Sequence, residues 1–212
     1  MIQKIQKVGL GMFVDKTYQK TSDFMLYAVI LLVLTTVVTY AINPNTSRLV
    51  TAIATKIPTK LSQANGMEKV MIYIQHNAFT VPLKMLLLAL LPIPFLFLIH
   101  LLLSVTILGI AFAIVLRYDA GQGMALILSS LPHSFFELFG ICLFASLLYR
   151  LNNALYHSLY VNLPFYQKEK CYCLKEAALS LLKVYFFLVL PIISFAAICE
   201  TYLTEYIYSF FH

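Results

Sequence analysis

Residues Met124–Leu148 read MALILSSLPHSFFELFGICLFASLL, an apolar run whose only charged residue is Glu137, with His133 one helical turn before it. About 20 apolar residues cross a bilayer as a helix, so the run predicts a membrane span. An ionisable group at the centre of such a helix costs roughly 2.5 to 3.5 kcal/mol and needs polar company. His133 and Glu137 stand four residues apart and therefore share one helical face. That face is expected to point into protein. Pro132 cannot donate to the Leu128 carbonyl, which predicts a kink or a spare acceptor beside the pair.

The rest of the chain agrees with this reading. Of its 212 residues 61% are hydrophobic and 11% charged, with a mean hydropathy of +0.84. Soluble domains carry about 25% charged residues. Further apolar runs at 24–42, 70–91, 95–116 and 179–199 bring the expected spans to five, the last kinked near Pro191. Gln75, His76, Asn77 and Lys84 interrupt the second run, and Pro92-Ile93-Pro94 ends it. The fold class is therefore an all-α polytopic membrane helix bundle with added amphipathic interfacial helices. Residues 1–22 form a basic amphipathic cytoplasmic segment and 23–212 the integral membrane domain. Lys4, Lys7, Lys16 and Lys20 alternate there with apolar residues, unlike the unbroken apolar core of a cleavable signal peptide.

Basic residues favour the inner side of a membrane. An N-terminus inside puts Lys4, Lys7, Lys16, Lys20, Arg150, Lys168, Lys170 and Lys175 on that side. Arg48, Lys56, Lys60, Lys69 and Arg117 then lie outside. The formal net charge of +6 is dispersed, which argues for lipid headgroups and against nucleic acid. Residues 46–57, ended by Pro58, read as an outer surface helix. Residues 151–163, ended by Pro164, read as an inner one whose Asn152, Asn153 and His157 face water or headgroups.

On these spans Gln75, His76 and Asn77 fall near the level of His133, and Lys84 lies deeper, within reach of Glu137 or of the inner interface. Glu200 near the end of the last span can reach neighbouring helices, whereas Glu205 reads as a solvated end residue. The expected buried polar cluster is thus His133, Glu137, Asn77, Gln75, His76 and Glu200. One reading makes it a substrate or proton path. The other makes it interhelical glue, each bond contributing about 0.6 kcal/mol. Gly109-x-x-x-Ala113 fits a close helix contact.

No His-Glu-x-x-His, Gly-x-Ser-x-Gly or nucleotide phosphate loop occurs. Cys171-x-Cys173 lacks the four ligands of a structural zinc site, and His133 with Glu137 lacks a third ligand. No catalytic residue, metal or cofactor is expected.

Three elements resemble the SpoIIM family of polytopic membrane proteins. Ile74-Gln75-His76-Asn77 is similar to a Phe-x-Asn-Asn element, and Pro132-His133-Ser134-Phe135-Phe136-Glu137 to a Pro-His-Gly-x-x-Glu element. Ala196-Ala197-Ile198-Cys199-Glu200-Thr201-Tyr202 resembles the family's closing helix with its late glutamate. Ser134 stands where glycine is usual, His76 where the first asparagine is, and the glycine-rich turn is reduced to Gly121-Gln122-Gly123. The resemblance implies a non-enzymatic subunit or scaffold of a bacterial cytoplasmic membrane complex. Its partners would be the bilayer and either other membrane proteins or a second copy as a homodimer. In sporulating bacteria the implied role is peptidoglycan remodelling. Relatives beside bacteriocin clusters imply the alternative, a transport, export or immunity component using the His/Glu pair.

Overall fold

Hydrocarbon offers the backbone no hydrogen bonds, so an apolar chain satisfies its N–H and C=O groups internally, as helix. The computed structural model describes residues 2–42, 64–91, 93–160 and 173–211, with side chains from Thr17 onward except that of Tyr160. These residues form helices and connecting turns, with no strand among them. The helices are α1 (Ile2–Ile42), α2 (Gly66–Tyr73), α3 (Val81–Ala89), α4 (Leu98–Tyr118), α5 (Ala120–Tyr160), α6 (Leu174–Val184), α7 (Leu190–Ile198) and α8 (Thr204–Tyr208). Wider π-helical turns join some of them end to end. Ile74–Thr80 links α2 to α3, Tyr185–Val189 links α6 to α7, and Cys199–Leu203 links α7 to α8.

Helix α5 is the axis of the bundle. Its stretch from Ile141 to Leu148 is buried on every side. On one flank lie α1 and α4; on the other lie the α2–α3 rod and the α6–α8 rod. Contacts fix the directions. The Thr21 hydroxyl donates to Ser146 Oγ (3.0 Å) and Phe24 meets the Tyr149 ring edge-on at 6.5 Å, so α1 enters beside the far end of α5. Arg117 donates to the Tyr40 carbonyl, which aligns the ends of α4 and α1. Gly109 lets these two helices approach closely, since a Cβ there would stand 3.0 Å from the Leu32 carbonyl oxygen. Gly109 and Ala113 are both buried in this contact.

Gly140 plays the same part on the opposite flank, where a Cβ would meet Ile193 Cγ1 at 2.7 Å. Asp119 opens α5 by accepting from the Gln122 N–H at 2.9 Å, a side-chain cap. Between α3 and α4 the chain reverses through Phe95, whose φ of 63° is strained for a bulky residue. Its ring stacks on Tyr149 at 5.7 Å, which helps hold that conformation.

Four helical stretches are long and apolar enough to cross a membrane: Thr17–Ile42, Leu98–Tyr118, Ala120–Leu159 and Leu174–Phe211. The fifth expected span, 70–91, is helical and runs the length of the bundle but is not among these four. Its polar residues explain the difference. Helix α1 is continuous from Ile2, so no break separates the basic segment from the first span. Helix α5 likewise continues past Arg150 into the bundle. Leu151, Asn152 and Ala154 are buried, and Asn152 donates to the carbonyls of Ala89 (2.8 Å) and Leu91 (3.1 Å). The expectation that Asn152 and His157 face water or headgroups is therefore corrected: both are buried, and Asn152 donates to two carbonyls where α3 ends, that of Leu91 shared with the Ile93 N–H. The expected surface helix at 46–57 and residues 161–164 lie outside the described residues.

Candidate functional site

Polar side chains gather where α2 and the Cys199–Leu203 turn pack against α5. The reason is local. Proline at 82 has no N–H for the Ala78 carbonyl, and the backbone before it relaxes into the π turn Ile74–Thr80. The Tyr185 hydroxyl, from the Tyr185–Val189 turn, donates to that same Ala78 carbonyl. Pro191 follows that turn by the same spacing rule, and α7 begins at Leu190 just before it. In two π turns a threonine hydroxyl reaches back five residues. Thr80 donates to the Gln75 carbonyl at 3.0 Å and Thr204 to the Cys199 carbonyl at 3.3 Å.

The wide turn at Cys199–Leu203 carries Glu200 towards α2, into electrostatic range of Tyr73 and Lys69. Glu137, half-buried on α5, lies within electrostatic range of both Glu200 and Tyr73. Lys69, one turn before Tyr73, forms an ion pair with Glu205 at 3.5 Å and also faces Glu200. Thus α2, α5 and the end of the α6–α8 rod meet through one polar set.

His133 belongs to its edge. The Thr204 hydroxyl donates to Cys199, which leaves Thr204 Oγ1 to accept from His133 Nδ1 at 3.2 Å. The remaining ring nitrogen, Nε2, can then accept from the Ser134 hydroxyl at 3.4 Å. His133 and Glu137 therefore share a face of α5 but serve different partners: the histidine holds α8 and the glutamate faces Tyr73 and Glu200. Phe136 on α5 seals one flank edge-on against Phe195 at 4.9 Å.

A family model described as SpoIIM, Stage II sporulation protein M, matches residues 24–205, from the first membrane helix to the Lys69 partner Glu205. The chain belongs to the SpoIIM family. It is a membrane protein of that family, and both carboxylates, His133 and all three π turns fall within the SpoIIM match. Comparison with curated proteins and with solved structures gives no match.

Of the six residues expected in a buried cluster, the structure brings together Glu137, Glu200 and, through Thr204, His133. Asn77 is half-buried without a side-chain hydrogen bond among the described residues. Gln75 and His76 are exposed. That is a correction: the π turn changes the angular step per residue, and these two side chains leave the bundle. Lys84 is exposed as well and does not pair with Glu137. Glu205 is engaged by Lys69, not merely solvated. Helix α5 runs through Pro132 without interruption, and at Pro191 the helix widens in the preceding turn. Among the described residues no three His, Cys, Asp or Glu side chains converge as metal ligands.

Tyr73, Thr204 and Tyr185 escaped the sequence reading. A signal for Tyr185 existed in Pro82, because a proline inside a helix frees the carbonyl four residues earlier. Tyr73 and Thr204 carried no charge to attract notice.

Proposed function

We propose that the chain is a non-enzymatic integral membrane subunit or scaffold of a bacterial cytoplasmic membrane complex, with its N-terminus on the cytoplasmic side. One observation carries this reading. Polar groups between α2, α5 and the α6–α8 rod hold the helices together: His133 is bonded to Thr204, Lys69 is paired with Glu205, and Tyr73 and Glu137 lie within electrostatic range of Glu200. Groups so committed tie three rods into one surface that a complex can build on. A proton path would need them to change partners.

The orientation has its own support. Lys20 lies over the Tyr149 ring and Arg150 donates to Thr17 at the end where α1 enters; the sequence assigns that side Lys4, Lys7, Lys16, Lys168, Lys170 and Lys175 as well, against Arg48, Lys56, Lys60, Lys69 and Arg117 on the other. A basic excess of this kind belongs inside. The family's name carries the role towards sporulation, and a bacteriocin-related role remains the alternative within the same architecture.

A transport or export component is the second reading. Gln75 and His76, uncovered near the middle of the α2–α3 rod, favour it, since polar groups at that level suit a water-lined path. Substituting Glu137→Gln separates the two. It keeps shape and hydrogen bonding but removes an exchangeable charge. The subunit reading expects the variant to remain in its native membrane complex at the parent level, and vesicles of either protein to leak protons no faster than empty ones. Proton flux in the parent that Glu137→Gln abolishes would hand the site to the transporter.

A further inference from the structure

The end of the bundle where α1 enters carries side chains that the polar flank does not use, and Tyr149 of α5 is their centre. Phe95, from the reversal between α3 and α4, stacks on that ring at 5.7 Å, and Phe24 of α1 meets it edge-on at 6.5 Å. The Lys20 ammonium lies over the same ring, 5.6 Å from its centroid. Arg150, the next residue on α5, donates from Nη1 to Thr17 Oγ1 at 3.5 Å. Thr17 and Lys20 stand three residues apart on α1 and are neighbours on its surface. Two cations therefore meet at the α1–α5 junction, beside an aromatic floor. One carboxylate accompanies them: Asp23 pairs with Lys20 at 3.6 Å, both side chains about half exposed. A pair so open to solvent competes weakly for the ammonium.

Depth decides what lies against this junction. From Lys20 to Tyr40 α1 rises about 30 Å, one hydrocarbon thickness. At the far end Arg117 sits over the Tyr40 ring at 5.0 Å, and α1 bears no charged residue between Asp23 and that ring. Cations resting on tyrosine rings at both ends of one apolar stretch mark its two water–lipid boundaries. Both helices that carry the two cations belong to stretches long and apolar enough to cross a membrane, Thr17–Ile42 and Ala120–Leu159. Lys20 and Arg150 thus stand at the level of lipid phosphates, and exposed Ile93 and Phe95 add apolar surface beside them for the first acyl carbons. Ammonium and guanidinium groups give phosphate its strongest hydrogen bonds, and an anionic headgroup brings no cation of its own to oppose them. We propose that Lys20 and Arg150, beside the Tyr149 ring, bind the headgroup phosphate of one anionic phospholipid, which clamps α1 to α5. The clamp adds to a junction that one buried bond between side chains, Thr21 to Ser146, crosses among the described residues. It goes beyond the proposed role in a complex and does not depend on which side of the membrane α1 starts from.

The test is native mass spectrometry of the full chain from neutral micelles holding equal phosphatidylglycerol and phosphatidylcholine with the same acyl chains. Both lipids carry a phosphate, so the preference reads net charge. The parent is expected to retain one phosphatidylglycerol per chain, about tenfold in preference to phosphatidylcholine. The double variant Lys20→Gln with Arg150→Gln should lose the preference, and Lys20→Gln alone, at an exposed side chain, should lower it severalfold. Lys175→Gln with Lys183→Gln removes as much charge from exposed positions on α6 and should leave it unchanged. Circular dichroism and gel filtration report whether each variant is folded. Phosphatidylglycerol should also raise the unfolding midpoint of the parent and not that of folded Lys20→Gln with Arg150→Gln, since a ligand held only by the folded state stabilises it. Equal retention of the two lipids by the parent overturns the proposal, as does an equal loss in the α6 variant, which would mean bulk attraction to the membrane surface. Inorganic phosphate that raises the parent's midpoint as much as phosphatidylglycerol would assign the site to a soluble anion and overturn the lipid. A dimer that retains no lipid would put a second copy there instead.

Discussion

The two flanks of α5 are held by different physics. Against α1 and α4 the contacts are largely steric: Gly109 and Ala113 let α4 approach α1 closely, and among the described residues one buried bond between side chains, Thr21 to Ser146, crosses to α5. Against the α2–α3 and α6–α8 rods the contacts are polar and the helices repeatedly widen into π turns. In lipid, helix association has no hydrophobic drive of its own, so close packing and interhelical hydrogen bonds must supply it. The steric flank needs nothing but shape, and shape tolerates no added atoms. The polar flank spreads its stability over several bonds and carries every ionisable side chain of the site. π turns recur at functional sites in proteins, and this flank has three of them. The comparison sets packing by shape on one side against packing by polar contacts on the other.

The largest predicted effect is on the steric flank. Gly109→Leu must displace the Thr35 side chain and crowd the Leu32 carbonyl, and should cost about 3 kcal/mol or prevent folding, as overpacking does. Thermal unfolding in detergent measures it. Tolerance of leucine there would remove the steric half of the comparison. On the polar flank, Tyr185→Phe leaves the Ala78 carbonyl without its hydroxyl donor and should cost about 1 to 3 kcal/mol in the same assay. A loss as small as that of an exposed substitution would mean the π turn does not depend on this bond. Asn152→Leu removes the amide donor from the Ala89 and Leu91 carbonyls at the end of α3 and should cost about 1 to 2 kcal/mol. Hydrogen exchange should then speed up in Leu86–Leu91 before it does elsewhere. The smallest effect is expected of Lys69→Gln, whose ion pair with Glu205 is exposed on the glutamate side. It should change stability by under about 1 kcal/mol and the difference should vanish in high salt.

The steric flank was the more legible in the sequence. Uncharged runs announce membrane helices directly, and Gly109-x-x-x-Ala113 fitted a close helix contact without saying which helix it meets. The face shared by His133 and Glu137 was equally readable, since four-residue spacing needs only an ideal helix. The polar flank defeated that arithmetic. An assumed α-helical step put Gln75 and His76 in the cluster, whereas the π turn before Pro82 rotates them outward. Asn152 looked like a headgroup-facing residue because its burial depends on where α3 ends, a tertiary fact. Tyr73 and Thr204 are ordinary membrane-helix residues until Glu200 and His133 arrive beside them. Local periodicity reports faces; it does not report which faces meet.

The central claim is that the carboxylates of the polar flank act by joining helices, and the pairing of Tyr73 with Glu200 tests it most directly. A double-mutant cycle of Tyr73→Phe and Glu200→Gln, read by thermal unfolding, should give a coupling of about 0.6 to 1.7 kcal/mol, the range of interhelical bonds in membranes. Strictly additive losses, with no coupling between the two positions, would contradict the account.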